Sequence, residues 1–280
     1  MSSSPSTFDI LYFGDIVGKS GRQAVKQYLA TLTEPAGAVI ANGENATHGF
    51  GISEKHYHEL REAGVDIITG GNHTWDRKDI VEYIHNAEWM LRPDNFPAGN
   101  PGVGAKVFEV NGIKLGVINL LGQVFMGNYN SPWESIDRLL PRLKQETSMV
   151  FIDFHAETTA EKLAFGRYLS QLGASVMVGT HTHVQTADNK ILNGQMGYIT
   201  DVGFNGASDS IIGMEPEGSL QRLMSCQPAR LEVAESDEVQ INAVWVTLET
   251  ATGKCLKIER INQQLTLAST ESLGAAPVNP

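Results

Sequence analysis

The sequence predicts an α/β fold in which two packed, mixed β-sheets carry helices on their outer faces. Three features of the chain predict it: β-type runs alternate with amphipathic helices, a hairpin interrupts the alternation, and the second half is rich in strands. The 280 residues, of which 41% are hydrophobic, can bury one large core. We therefore expect a single domain over residues 1–267 and an Ala-, Ser- and Pro-rich tail over residues 268–280.

The first part of the chain alternates strands and helices. Its apolar runs are typical of buried strands and lie at residues 8–13, 38–41 and 65–69. Residues 20–32 carry apolar side chains at helical spacing, and Ser53 is placed to cap a second helix that Gly64 ends. Strands that alternate with helices predict a largely parallel sheet.

The middle of the chain adds an antiparallel element. Asn111-Gly112 separates two β-type runs and is a strong hairpin signal. The alternation then returns, because Thr158-x-x-Glu161 forms a capping box and Gly173 ends the helix that it opens. Further strands are predicted at residues 149–154, 174–178, 197–202, 230–233, 239–248 and 256–261.

Composition excludes several classes of protein. The net charge of −11 argues against stable binding of long nucleic acids, which need clustered Lys and Arg. No apolar run approaches the ~20 residues of a membrane span, and no basic segment precedes a signal-like stretch, so we expect a cytoplasmic protein without a membrane partner. Cys226 and Cys255 are too few for a disulfide framework or a cysteine-ligated zinc site. Assembly into a homo-oligomer stays open.

Polar side chains follow the predicted strands at the points where the strands end. Each alone is more often a turn former or a surface residue. Because ligands bind at the carboxyl ends of strands in open α/β sheets, we expect these clusters to converge on one crevice. The candidates are Asp15, Glu44, Asn45, Asn72, His155, His181 and His183.

This set of side chains favours a metal centre. Imidazole, carboxylate and amide groups suit Fe, Mn, Zn or Co rather than Cu(I). Seven ligands are too many for one tetrahedral ion and suit two ions that share a bridging carboxylate. Two ions roughly 3.5–4 Å apart bind phosphoryl oxygens and lower the pKa of a bridging water. A small anionic substrate therefore remains compatible with the acidic chain.

His73 is the candidate general acid. It directly follows Asn72, and an imidazole that does not bind metal could protonate a leaving alkoxide, an effect worth roughly 10²–10⁴-fold. A simply packed imidazole is the alternative interpretation. The chain has no G-x-S-x-G elbow, and Gly14-x-x-x-Gly18-Lys19-Ser20 is one residue short of a P-loop.

These motifs resemble the calcineurin-like metallophosphoesterases. The matching blocks are Gly14-Asp15, Gly43-Glu44-Asn45, Gly71-Asn72-His73, His155 and Gly179-Thr180-His181-Thr182-His183. More narrowly, FGDIVGKSGR, ANGENATHGFGI, TGGNHTWD, IDFHAETTAEK and VGTHTHVQTAD resemble the bacterial YmdB-like branch. The resemblance implies a four-layer αββα sandwich and hydrolysis of cyclic nucleotides and other phosphodiesters.

The resemblance also implies residue roles. His73 matches the catalytic histidine of the family. Asp15-Ile16-Val17 departs from the usual Asp-x-His, and Asn45 fills the vacancy, so iron or manganese is expected before zinc. The implied ligands are Asp15, Glu44, Asn45 and His183 for one ion, with Glu44 bridging to a second ion held by Asn72, His155 and His181.

The sequence thus predicts a two-metal phosphodiesterase for small phosphodiesters, 2′,3′- or 3′,5′-cyclic nucleotides, with a bridging hydroxide as nucleophile. Two alternatives stay open. One is a phosphomonoesterase or phosphoprotein phosphatase that holds a dianion with Lys19 or Arg77. The other is a metal-loaded regulatory module that binds protein or RNA. The loops at residues 125–133 and 204–212 are the expected substrate-facing segments.

Overall fold

The structure is a computed structural model that describes residues 6–268, and its elements follow the predicted alternation. The strands of this part of the chain are β1 (Thr7–Phe13), β2 (Asp15–Ile16), β3 (Ala38–Asn42), β4 (Ile67–Thr69), β5 (Ala105–Val110), β6 (Ile113–Leu121), β7 (Val150–His155), β8 (Val176–Thr180), β9 (Lys190–Leu192), β10 (Met196–Ile199), β11 (Phe204–Ala207), β12 (Glu238–Glu249) and β13 (Cys255–Thr266). The helices are α1 (Gly18–Thr31), α2 (Glu54–Glu62), α3 (Ile80–Tyr83), α4 (Pro132–Leu143), α5 (Thr159–Leu172) and α6 (Pro216–Ser225).

The strands form two mixed sheets. The first has the order β2-β11-β12-β1-β3-β4, with β13 beside β12. Its β1, β3 and β4 run parallel, whereas β12 is antiparallel to β1. The second has the order β5-β6-β7-β8-β10-β9, in which β6, β7, β8 and β10 run parallel. Each sheet therefore sends several parallel strands toward one edge.

The two sheets pack face to face. Apolar side chains of both fill the space between them, and the rings of Tyr12 and Phe151 lie 5.2 Å apart there. A second cluster joins the outer face of the first sheet to α1, α2 and α3. A third joins the outer face of the second sheet to α4 and α5. The predicted order of layers, helix-sheet-sheet-helix, is confirmed.

The hairpin turn and two helix caps form where the sequence predicts them. Asn111 and Gly112 have φ of 51° and 77°, the left-handed values that a tight two-residue hairpin needs, and they join β5 to β6. The Ser53 hydroxyl accepts from the His56 N–H at the start of α2. The Thr158 hydroxyl likewise caps α5, which Gly173 ends in a left-handed conformation.

Some predictions were wrong. Residues 230–233 form no strand, and Val233 makes only an isolated bridge to Met214. The neighbouring segment cannot extend this pairing, because Pro216 has no N–H to donate and begins α6. Helices α4 and α6 were not predicted, although each has proline in its first turn, a known start signal. The segment at residues 204–212, expected to be a loop, begins with β11.

Two boundaries stay predictions. Apart from Ala268, the tail expected over residues 268–280 lies outside the described residues. The assignment of residues 1–267 to one domain likewise remains a prediction. Within residues 6–268, no helix combines the length and apolar character needed to cross a bilayer.

Candidate metal centre

All seven predicted ligands lie where strands of both sheets end. Asp15 begins the short β2 just after β1 ends, Glu44 and Asn45 follow β3, and Asn72 follows β4 in the first sheet. In the second sheet, His155 ends β7, while His181 and His183 follow β8. Because the two sheets are stacked, their strand ends face each other across one crevice.

Three groups face the His155 ring nitrogen at one side of the crevice. Nε2 of His155 lies 3.0 Å from Oε1 of Glu44, 2.9 Å from Oδ1 of Asn72 and 3.0 Å from Nδ1 of His181. Ligand atoms of Glu44, His155 and His181 lie within 4.8 Å of one another. One proton on Nε2 can satisfy only one of these acceptors, whereas a cation can attract them all.

A buried carboxylate oxygen lacks a partner at the other side. Oδ1 of Asp15 is enclosed and accepts no hydrogen bond, which is costly for a charged oxygen. It lies 3.8 Å from Nε2 of His183. Asn45 presents Nδ2 to Glu44 and His183, 3.2 Å from each, so this amide must turn over to offer its oxygen to a cation. The orphaned oxygen and the crowded imidazoles fit a metal centre.

The electrostatics of the cluster also fit a cation. Burial raises the pKa of Asp15 to about 6, although His183 and His155 oppose this. Burial also acts to raise the pKa of Glu44, but the charge and hydrogen bond of His155 prevail and lower it to about 2. Burial and the charge of His155 lower the pKa of His181 to about 3, so this ring is neutral, as a metal ligand must be.

His155 is the exception among the histidines. Burial acts to lower its pKa, but Glu44 and Asp15 raise it to about 9, so its ring carries a proton opposite the carboxylates. A cation bound by His155 would take the place of that proton, so metal binding would release it.

His181 and His183 lie in a loop with an unusual backbone conformation that a buried carboxylate anchors. His181 and His183 have φ of 100° and 62°, a region that non-glycine residues seldom occupy. Asp201 holds the loop between them, because Oδ2 accepts from the N–H (3.1 Å) and the hydroxyl (2.7 Å) of Thr182. The same oxygen accepts from the buried Lys162 ammonium at 2.7 Å.

A glycine is needed beside the cluster. A Cβ on Gly71 would lie 2.0 Å from Oε2 of Glu44 and 2.6 Å from Nε2 of His155. Any larger residue would therefore occupy the space between these two groups. This close approach explains the glycine that precedes Asn72.

His73 lies beside the cluster and outside the ligand set. Its backbone N–H donates to Oε2 of Glu44 at 3.0 Å, which anchors the turn that carries it. Its Nδ1 lies 2.8 Å from Oδ2 of Asp76, and its ring meets the ring of Phe50 edge-on at 4.9 Å. The side chain is 28% exposed. Asp76 was missed in the sequence, where its i+3 spacing from His73 was the available signal.

The loop after β6 reaches the crevice. The N–H of Gly122 donates to the carbonyl of His155 at 3.0 Å, and the Glu161 carboxylate accepts from the N–H groups of Gln123 and Val124. Phe125 then projects into solvent, 89% exposed. The substrate-facing position of residues 125–133 stays a prediction.

The two cations suggested for a dianionic substrate, Lys19 and Arg77, have other neighbours in the structure. Arg77 pairs with Asp79 at 3.3 Å. Lys19 is exposed and lines a surface cleft with Glu235 and Asp237.

The family described as YmdB-like protein matches residues 11–261. The chain belongs to this family. A 2′,3′-cyclic-nucleotide 2′-phosphodiesterase from Bacillus subtilis (strain 168) is 47% identical over 255 residues, which are 90% of this chain and 96% of that protein. The predicted membership of the YmdB-like branch, and with it a phosphoester-hydrolysing enzyme, is confirmed.

Solved structures agree with the fold. The crystal structure of a novel phosphatase from Mycoplasma pneumoniae has a TM-score of 0.85 and 36% identity, covering 96% of this chain and 97% of that one. A 5′-nucleotidase precursor from Thermus thermophilus has a TM-score of 0.51 at 16% identity, covering 93% of this chain and 54% of that one. The second similarity shows the shared fold alone.

Proposed function

We propose that the protein is a two-metal phosphodiesterase that opens 2′,3′-cyclic nucleotides and releases nucleoside 3′-phosphates. The observation that carries the proposal is the ring nitrogen of His155, faced at about 3 Å by Glu44, Asn72 and His181. The bond that is cleaved and the substrate are inferred from the B. subtilis relative, whose name specifies the 2′ ester bond.

The proposed ligands divide between two ions. Asp15, Glu44, Asn45 and His183 would hold one, and Glu44 would bridge to another held by Asn72, His155 and His181. Carboxylate and amide oxygens outnumber the imidazoles in this set, which supports iron or manganese before zinc. Once bound, the ions would supply Lewis acidity to the phosphoryl oxygens and lower the pKa of a water.

His73 supplies the proton in the proposed reaction. A water oxygen would form a new bond to phosphorus and lose one proton to solvent as the P–O2′ bond breaks. Nε2–H of the His73 imidazolium would donate its proton to O2′, which keeps the electron pair of the broken bond. Asp76 accepts from Nδ1, which orients the ring for the transfer.

The test compares three substrates of the manganese-loaded protein by phosphorus NMR: 2′,3′-cyclic AMP, 3′,5′-cyclic AMP and 4-nitrophenyl phosphate. We expect 2′,3′-cyclic AMP to react fastest and to stop at 3′-AMP. A 2′-AMP product would refute the assignment of the cleaved bond. Faster hydrolysis of the monoester would favour the phosphatase alternative. The structural neighbour from M. pneumoniae is named a phosphatase.

No contact that the structure describes in the site specifically supports the alternative of a metal-loaded regulatory module that binds protein or RNA. It predicts that a Glu44→Ala protein recovers a protein or RNA partner as well as the wild type does. A cytoplasmic location, the absence of stable binding to long nucleic acids and the oligomeric state stay predictions from the sequence.

A further inference from the structure

A buried carboxylate lies beneath the metal centre and is not one of its predicted ligands. Asp153 belongs to β7, two residues before His155, and is fully enclosed between the sheets. Each of its oxygens accepts hydrogen bonds from strands that end at the site. Oδ2 accepts from Tyr12, Asn42 and Thr69, and Oδ1 accepts from Thr180.

The Thr180 branch fixes the proton of His155. The Thr180 hydroxyl donates its only hydrogen to Oδ1 of Asp153 at 2.7 Å. The same hydroxyl oxygen lies 2.9 Å from Nδ1 of His155, so it can only accept from that nitrogen. Nδ1 therefore carries a hydrogen, and Nε2, on the side that faces Glu44 and Asn72, is the nitrogen left to bind a cation once its own proton is released.

The Asn42 branch reaches the loop of Glu44. The amide nitrogen of Asn42 donates to Asp153 at 3.1 Å and to the carbonyl of Gly70 at 3.2 Å. Its amide oxygen accepts from the N–H of Glu44 at 3.0 Å. One carboxylate is thus linked to the starts of the turns that carry Glu44 and Asn72.

We propose that Asp153, acting through Thr180, is a positioning residue that holds His155 as the Nδ1–H tautomer and aims its Nε2 lone pair at the metal centre. This role rests on the proposed metal-dependent function. Partners of metal-binding histidines act in this way, and their loss commonly weakens metal binding by about 10–100-fold. Asp153 itself touches neither substrate nor ion in this role.

A purely structural role makes a different prediction. If Asp153 only joined the two sheets, removal of any hydroxyl that donates to it would lower the stability of the protein and leave metal affinity unchanged. Tyr12 and Thr180 separate the two roles, because both donate to Asp153 but only Thr180 contacts His155.

The experiment titrates metal-free protein with manganese and follows free Mn²⁺ by electron paramagnetic resonance. Thr180→Val is nearly isosteric, and we expect it to weaken the binding of one ion by about 10–100-fold. Thr180→Ser keeps the hydroxyl and should restore tight binding. Tyr12→Phe should lower the urea midpoint and keep the wild-type affinity. Wild-type affinity in Thr180→Val would overturn the positioning role.

A second measurement needs no variant. Nitrogen-15 NMR of the zinc-loaded wild type should show the His155 proton on Nδ1, and an unprotonated Nδ1 would overturn the proposal even if Thr180→Val does not fold. The two proposals fail differently. A wild type that binds no manganese refutes the metal centre and this role together, whereas a metal-binding wild type with an indifferent Thr180→Val refutes this role alone.

Discussion

Replacement of His73 by glutamine should remove the proton donor and spare the metal centre. The contact of this residue with the ligands is the backbone N–H bond to Oε2 of Glu44, which a glutamine retains. Loss of a general acid lowers kcat by roughly 10²–10⁴-fold, or about 2.7–5.4 kcal/mol in activation free energy. We therefore expect His73→Gln to bind the wild-type amount of manganese and to open 2′,3′-cyclic AMP at least about 100-fold more slowly.

The size of the loss should depend on the leaving group. The O2′ alkoxide is strongly basic and needs the proton, whereas a 4-nitrophenolate leaves without one, so an aryl diester should lose less than about 10-fold. Asp76→Asn gives a matched, milder change. Its side chain is 47% exposed, and an exposed ion pair contributes about 0.2–1 kcal/mol, so kcat should fall roughly 1.5- to 5-fold.

The assay measures kcat for both substrates together with the metal content of each protein. Equal losses for the nucleotide and the aryl diester would refute the role of His73 as general acid. Loss of metal from His73→Gln would show instead that this residue supports the ligands.

Three further changes test other parts of the account. Glu44→Gln should leave fewer than about one ion per chain by elemental analysis, because the proposed bridge loses its charge, and retention of two ions would contradict the bridging role. Lys162→Met should lower the free energy of unfolding in urea by about 3–5 kcal/mol, because Asp201 would stay buried without its cation; a loss below about 1 kcal/mol would contradict this reasoning. His56→Gln should make the free energy of unfolding fall less as the pH is lowered. Burial and the charge of Arg22 lower the pKa of His56 to about 4, so between about pH 6.5 and 4 the unfolded chain binds a proton that the folded chain does not, and stability falls as the pH falls. Urea unfolding of both proteins across this range measures the difference, and parallel profiles would refute it.

The clustering of the proposed ligands could be predicted because each member follows an apolar run. Asp15, Glu44 and His155 all come directly after residues that read as buried strands, and strand ends of parallel sheets meet at one edge. The supporting residues lack such a signal. Asp153 reads as part of the strand VFIDFH, and its partner Tyr12 is 141 residues away in the chain.

The fold was predictable where local chemistry agreed with packing. The Asn111-Gly112 turn and the Thr158 cap act within a few residues, and the structure contains both. The strand predicted at residues 230–233 failed for a reason outside the segment itself. A strand needs a neighbour of matching length, and here the neighbour turns into α6 at Pro216.

The central claim is that two metal ions act together on a cyclic phosphodiester. Its most direct test is the titration of metal-free protein with manganese while hydrolysis of 2′,3′-cyclic AMP is followed. The account predicts no turnover in chelator and a plateau of activity at two ions per chain. Full turnover in chelator, or a plateau at one ion per chain, would contradict it.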